Sequence, residues 1–91
     1  MRITFDPEER ARTLSERGLD FARAGEVFAG RNFTAADLRG YEESRFITMG
    51  TLDDRLVVLV WTPRGSARRI ISMRKANERE QARYRSHLGR R

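Results

Sequence analysis

The hydrophobic and polar positions divide the chain into a helical first third and an extended middle. Residues 3–5 are apolar enough for a short strand. Asp6 then suits a helix N-cap, and Pro7 occupies a position where its missing N–H is not needed. The spacing predicts a first helix to about Arg17, closed by Gly18 as a left-handed cap. The chain therefore opens as a strand followed by a helix.

A second helix is predicted directly after the first. Asp20 suits its N-cap, and Gly30 suits its end. Between them, Phe21, Ala24 and Phe28 recur at helical spacing, which places both rings on one buried stripe. The first thirty residues thus predict a helical hairpin after the short strand.

From residue 32 onward the pattern changes to the period of strands. Residues 33–38 are a weak strand candidate, whereas Arg45–Leu52 and residues 55–63 are rich in β-branched and aromatic types. Asp53-Asp54 between the two stronger segments predicts a tight antiparallel hairpin. The segment LVVLVW is apolar at both parities, so we expect a central strand covered on both faces. A further strand is predicted over residues 68–73.

The last segment predicts a helix from Lys75 to about Leu88. Asn77 and Glu80 have the spacing of a capping box, and Tyr84 and Leu88 fall on one face. The predicted order is β-α-α-β-β-β-α. We therefore expect an α+β fold with an antiparallel sheet flanked by helices.

Length and composition limit the classes of protein. With 91 residues, the chain is expected to form one domain over residues 1–91, with a basic tail at about 89–91. It contains no cysteine and one histidine, His87, so we predict no metal site and no cofactor. No apolar run approaches a membrane span, and the first twenty residues do not resemble a signal peptide. We expect a cytoplasmic protein without a membrane partner.

Positive charge is concentrated in the last third of the chain. Residues 1–63 contain nine arginines and eleven acidic residues, whereas residues 64–91 contain ten basic residues and two acidic ones. All ten except Lys75 are arginines, which bind phosphate in a bidentate way. Nucleic acid or an acidic protein is the expected partner of this region.

Several segments, taken in order, resemble one family. FDPEERARTLSERGLDFARAGEVF, YEESRFITMG, DRLVVLVWTPRG and RRIISMRKANEREQARY are similar to the BrnT toxins of bacterial type II toxin–antitoxin systems. The segment from Arg69 to Tyr84 carries the strongest similarity. The chain differs at Glu16-Arg17-Gly18, where family members usually have Lys-His-Gly, and at Met73, where alanine is common.

The resemblance implies a RelE-like fold and metal-independent endoribonuclease activity that inhibits translation. It also implies a BrnA-like ribbon-helix-helix antitoxin, assembled with the toxin as a heterotetramer and contacting DNA through the antitoxin alone. The alternative hypothesis is that the chain is a non-catalytic module that binds nucleic acid or the antitoxin through its basic surface.

Cleavage without a metal needs a base for the ribose 2′-hydroxyl and cations for the charged transition state. Strict alternation places Arg68, Ile70, Ser72 and Arg74 on one face of the last strand. We expect the catalytic group to gather at the sheet end, and it comprises Arg64, Arg74, Ser72 and Arg45. We expect further RNA contacts from Lys75, Arg68, Arg69 and Arg79.

Structural roles compete with each of these assignments. Arg64 could be an ordinary turn residue. Arg69 could form an ion pair with an acidic residue near the start of the chain, and Ser72 could cap the last helix. Arg45 has Glu42 and Glu43 nearby in sequence as ion-pair partners. Either Glu43 or Glu80 could serve as the general base, although Glu80 also fits the capping box. Trp61 is expected in the core.

Overall fold

The computed structural model describes residues 1–40 and 42–89, with the side chains of Leu88 and Gly89 not described. Three α-helices, one 3₁₀ turn and five strands make up this part of the chain. In chain order they are β1 (Arg2–Phe5), α1 (Pro7–Arg17), the 3₁₀ turn (Phe21–Arg23), α2 (Ala24–Ala29), β2 (Asn32–Asp37), β3 (Arg45–Leu52), β4 (Arg55–Arg64), β5 (Ala67–Lys75) and α3 (Glu78–Gly89).

The sheet is mixed, which corrects the expectation of an antiparallel one. Its strand order is β1-β5-β4-β3-β2. The four strands from β2 to β5 pair antiparallel with their neighbours, but β1 lies parallel to β5, with Arg2 beside Ala67 and Phe5 beside Ile70. The weak candidate segment is a true edge strand, so there are five strands in the described chain and not four. The overall α+β class is confirmed.

The local signals at the first helix are confirmed. The Asp6 carboxylate accepts a hydrogen bond from the Glu8 backbone N–H at 2.9 Å, and Gly18 ends α1 with φ of 70°. Asp20 also acts as a cap, but of a 3₁₀ turn, and α2 has only six residues. Phe21 is nevertheless fully buried, and Phe28 packs against the same core.

The central hairpin has the predicted form. Asp53 and Asp54 both have positive φ, as a two-residue turn between antiparallel strands requires. β4 is the middle strand of the sheet and is covered on both faces, as predicted. One face of the sheet packs under α1 and α2, and we call it the α1 face; β4 contributes Val57, Leu59 and Trp61 to it. The opposite face packs towards α3, and we call it the α3 face; β4 contributes Val58 to it.

An extra residue in β5 overturns the predicted alternation of that strand. Val60 pairs with Ser72, but the next residue of β4, Trp61, pairs with Ile70, so Ile71 forms a β-bulge. Ile70 and Met73 consequently both enter the core on the α1 face. Arg69, Ser72 and Arg74 lie on the α3 face, and Arg68 lies on the opposite one.

The last helix begins later than predicted. Lys75 belongs to β5, and the Ala76 N–H still donates to the Leu56 carbonyl at 3.0 Å. Asn77 and Glu80 form the predicted capping box, because each side chain accepts a hydrogen bond from the other residue's backbone N–H. The predicted contact of Leu88 and the basic residues Arg90 and Arg91 of the predicted tail lie outside the described residues.

Gly50 should be essential for packing α2 on the sheet. A Cβ at Gly50 would lie 2.8 Å from Val27 Cγ1 and 3.3 Å from the Arg31 carbonyl oxygen, so Gly50→Ala must displace α2. We expect a loss of about 1–3 kcal/mol in the free energy of unfolding, measured by urea denaturation.

Gly25 provides the matched control, because a Cβ there meets nothing within 4 Å and the residue lies inside α2. Gly25→Ala should leave stability unchanged or raise it by up to about 1 kcal/mol. Equal effects of the two substitutions would contradict the close approach of α2 to β3.

Candidate RNA-binding surface

Three arginines converge on the α3 face around a buried threonine of the central strand. On one side, Thr62 pairs with Arg69 of β5. On the other side, Phe46 of β3 pairs with Trp61, so Arg45, the residue before Phe46, lies beside Thr62. Two strand spacings separate Arg45 from Arg69, which is about 10 Å. Arg64 follows two residues after Thr62 on the same face. We call Arg45, Arg64 and Arg69 the arginine surface.

Hydrogen bonds fix the base of this surface. The Thr62 hydroxyl is buried and donates to the Ser44 carbonyl at 2.6 Å, which holds the segment before β3 against β4. Glu43 lies in that segment. Its carboxylate is 2.9 Å from Arg64 Nη2 and 3.4 Å from Arg45 Nε, so one acid links two of the arginines. The ion pair of Arg45 with Glu43, which is the structural alternative to a catalytic role for Arg45, is therefore present.

The first strand adds a fourth cation that the sequence reasoning missed. Arg2 pairs with Ala67, the partner of Arg64, and its exposed side chain therefore shares the α3 face. Only the parallel pairing of β1 with β5 brings it there. No local pattern in the sequence signals that pairing.

The expected gathering of all the catalytic candidates at one sheet end is wrong. Arg64 pairs with Ala67 at the start of β5, whereas Arg74 lies seven residues later, opposite Val58. Since β4 and β5 are antiparallel, about 20 Å of strand separates Arg64 from Arg74. Ser72 lies between them, opposite Val60 and half-buried.

The structure places the predicted RNA contacts in different surroundings. Arg69 joins the arginine surface, and Arg79 is exposed in the first turn of α3. Arg68 lies on the other side of the sheet, where its guanidinium covers the rings of Phe28 at 4.4 Å and Trp61 at 4.7 Å. The predicted grouping of Arg68 with the other arginines is therefore wrong. Trp61 is 8% exposed, as expected of a core residue.

Arg74 is held by Glu80 at the start of α3. Both guanidinium Nη atoms donate to the Glu80 carboxylate at 2.7 Å. These hydrogen bonds lower the pKa of Glu80 to about 2 and raise that of Arg74 above its ordinary value. A carboxylate with so low a pKa is a weak base, so Glu80 serves the helix start and the ion pair rather than proton transfer.

The described residues contain no group of three or more histidine, cysteine, aspartate or glutamate side chains arranged to hold a metal ion. No helix within the same residues combines the length and apolar character that crossing a membrane requires.

Comparison with known protein families identifies the class. Residues 5–80 match the model of the ribonuclease toxin BrnT of type II toxin–antitoxin systems. The match covers most of the chain and includes α1, the whole of β2 to β5 and the start of α3. The chain therefore belongs to the BrnT family of ribonuclease toxins. None of the curated proteins compared with it matches significantly.

The ion pair between Arg74 and Glu80 should make the free energy of unfolding depend on pH in the acid range. The pKa of Glu80 is lower in the folded chain than its ordinary value of 4.5, so its stabilising effect is complete above pH 4.5 and disappears as the pH falls through about 2. Because the Arg74 side chain is 45% exposed, we expect the ion pair to contribute at most about 1 kcal/mol to the free energy of unfolding. Urea denaturation at a series of pH values between 7 and 2 measures this contribution.

Glu80→Gln should remove this part of the pH dependence and lower stability at pH 7 by the same amount. Glu9→Gln is the control, because the exposed pair of Glu9 with Arg12 links neighbouring turns of one helix. If Glu80→Gln left the acid limb of the stability curve unchanged, the ion pair would not stabilise α3.

Proposed function

We propose that the chain is a metal-independent endoribonuclease toxin that cleaves RNA on the arginine surface and thereby inhibits translation. The observation that carries the proposal is the convergence of Arg45, Arg64 and Arg69 around Thr62, with the Glu43 carboxylate between two of them. Guanidinium groups supply the positive charge that a metal ion supplies in other nucleases.

The reaction is an attack by the ribose 2′-oxygen on the adjacent phosphorus. A base takes the 2′-hydroxyl proton, a bond forms between the 2′-oxygen and phosphorus, and the bond from phosphorus to the 5′-oxygen breaks. The leaving 5′-oxygen takes up a proton. Arg45 and Arg64 bind the non-bridging oxygens, whose negative charge increases in the transition state, and Ser72 donates a hydrogen bond to the RNA beside them.

Glu43 is the best candidate for the base. Its side chain is 30% exposed and touches the two guanidinium groups that would bind the phosphate. Asp37 shares the face but is only 4% exposed and pairs with Arg39, and Glu80 is occupied by Arg74. A phosphate that binds Arg45 and Arg64 competes with Glu43 for them and leaves the carboxylate beside the substrate.

The remaining contacts extend the bound RNA beyond the cleaved bond. Arg69 would bind the neighbouring phosphate, and Arg74 and Arg79 would bind phosphates towards α3. Lys75 pairs with Val57 and so lies on the α1 face at the end of β5, where it would bind a phosphate at the edge of the sheet. Arg68 is excluded from this path because it lies on the α1 face against Phe28 and Trp61.

The family assignment supports the biological setting. We expect one domain of RelE-like fold that acts in the cytoplasm, is neutralised by a BrnA-like ribbon-helix-helix antitoxin and forms a heterotetramer with it. DNA would be contacted by the antitoxin alone.

Purified protein should cleave total RNA in EDTA, and Arg64→Ala and Arg45→Ala should each lower the rate by at least about tenfold. Each substitution removes a cation that stabilises transition-state charge. Discrete loss of RNA on a denaturing gel measures the rate.

Arg12→Ala is the matched control, because it removes the same charge from the exposed side of α1 and should cleave at the original rate. Intact RNA at every protein concentration, together with RNA binding that weakens steeply with salt, would contradict cleavage and favour the non-catalytic binding module.

A further inference from the structure

A second cationic site lies beyond the arginine surface, at the far end of β5. A cavity of about 450 Å³ opens there between the last turn of α1 and the end of the strand. Four charged side chains line it: Glu16, Arg17, Arg74 and Lys75. Residues 71–75 of β5 extend past the end of β1, whose last partner is Ile70, so α1 and not a strand borders this edge.

Arg17 is anchored at this edge by the backbone of β5. Its Nη1 donates to the Met73 carbonyl at 2.9 Å. A guanidinium has five N–H donors, so this bond fixes the group and leaves donors for an anion. Arg17 therefore lines the cavity as a cation whose position is fixed by the backbone of β5.

Lys75 supplies the most available charge in the cavity. Within the described residues, no carboxylate lies within ion-pair distance of its ammonium group. Arg74 contributes less, because Glu80 binds both of its Nη atoms. The attraction for an anion therefore comes mainly from Lys75 and Arg17.

Two features oppose anion binding in the same cavity. Glu16 carries a negative charge, and the carboxyl end of α1 carries a partial one. Glu80 offsets the charge of Arg74, but Arg17 and Lys75 still outnumber Glu16, so the balance favours an anion. A smaller cavity of about 240 Å³ is also lined by Lys75, together with Asp54 and Arg55, so its lining has two cations and one acid against three cations and one acid in the larger cavity.

We infer that this cavity is a phosphate subsite, in which Arg17 and Lys75 bind a backbone phosphate of the RNA several nucleotides from the cleaved bond. The inference rests on the proposed function for its substrate. Arg69, Ser72 and Arg74 lie on the α3 face between the arginine surface and the cavity, whereas Lys75 pairs with Val57 on the α1 face. A single strand that follows β5 would therefore reach the cavity by crossing the edge of β5 beyond Arg74, where β1 has ended. The subsite holds the strand and takes no part in the proton transfers.

The test measures binding separately from cleavage. An eight-nucleotide 2′-O-methyl RNA, which has no 2′-hydroxyl to attack, is titrated in EDTA at several KCl concentrations and followed by fluorescence anisotropy. Lys75→Gln should weaken binding about fivefold and reduce the slope of log K against log salt by about 0.7. Glu16→Gln should tighten binding about twofold to threefold, because it removes a repulsive charge from the cavity.

Variants of α1 outside the cavity separate the effect of local contacts from the effect of net charge. Arg12→Gln and Glu9→Gln make the same charge changes outside the cavity and should alter binding less than about 1.5-fold. With cleavable RNA, Lys75→Gln should raise KM and leave kcat unchanged.

The possible failures are distinguishable. If Lys75→Gln bound like Arg12→Gln and Glu16→Gln like Glu9→Gln, the subsite would be wrong even if RNA were cleaved. If the four variants followed the expected pattern but cleavable RNA remained intact, the subsite would stand as an RNA-binding site and the proposed cleavage would fall.

Discussion

A single extra residue in β5 determines which of its side chains lie on the α3 face of the sheet. Because Ile71 is bulged, Ile70 and Met73 both enter the core under α1, although three positions separate them. Strict alternation would turn Met73 towards α3 and direct Arg74 into the apolar core, where an unpaired charge costs several kcal/mol. The bulge therefore lets one strand contribute to a packed core and to a continuous cationic face.

The sequence predicted the fold best where a structure depends on neighbouring residues. The cap at Asp6, the left-handed Gly18 and the turn at Asp53-Asp54 are all local, and all were predicted. The parallel pairing of β1 was missed because its partner is far away in the chain. The start of α3 was placed too early because Lys75 and Ala76 continue the pairing with β4, an effect of the neighbouring strand that helix spacing does not reveal.

The same limit applies to the candidate site. The excess of arginine in the last third of the chain predicts a phosphate-binding surface, and positions along the predicted strands select the candidates within and before it. Their grouping depends on strand register: Arg45 and Arg69 flank Thr62, whereas Arg74 is far from Arg64. The sequence marks Arg17 only as a departure from the family pattern, because its contact with the Met73 carbonyl joins distant segments.

The parallel contact of the first strand with the last one also determines the order in which a newly made chain can mature. The ribosome releases β1 first, but its partner β5 is the last strand to be synthesised. Long-range pairing of this kind closes late in folding. Arg2 therefore joins Arg64 and Arg69 only after β5 has emerged, and a copy synthesised no further than β4 has no complete cationic surface.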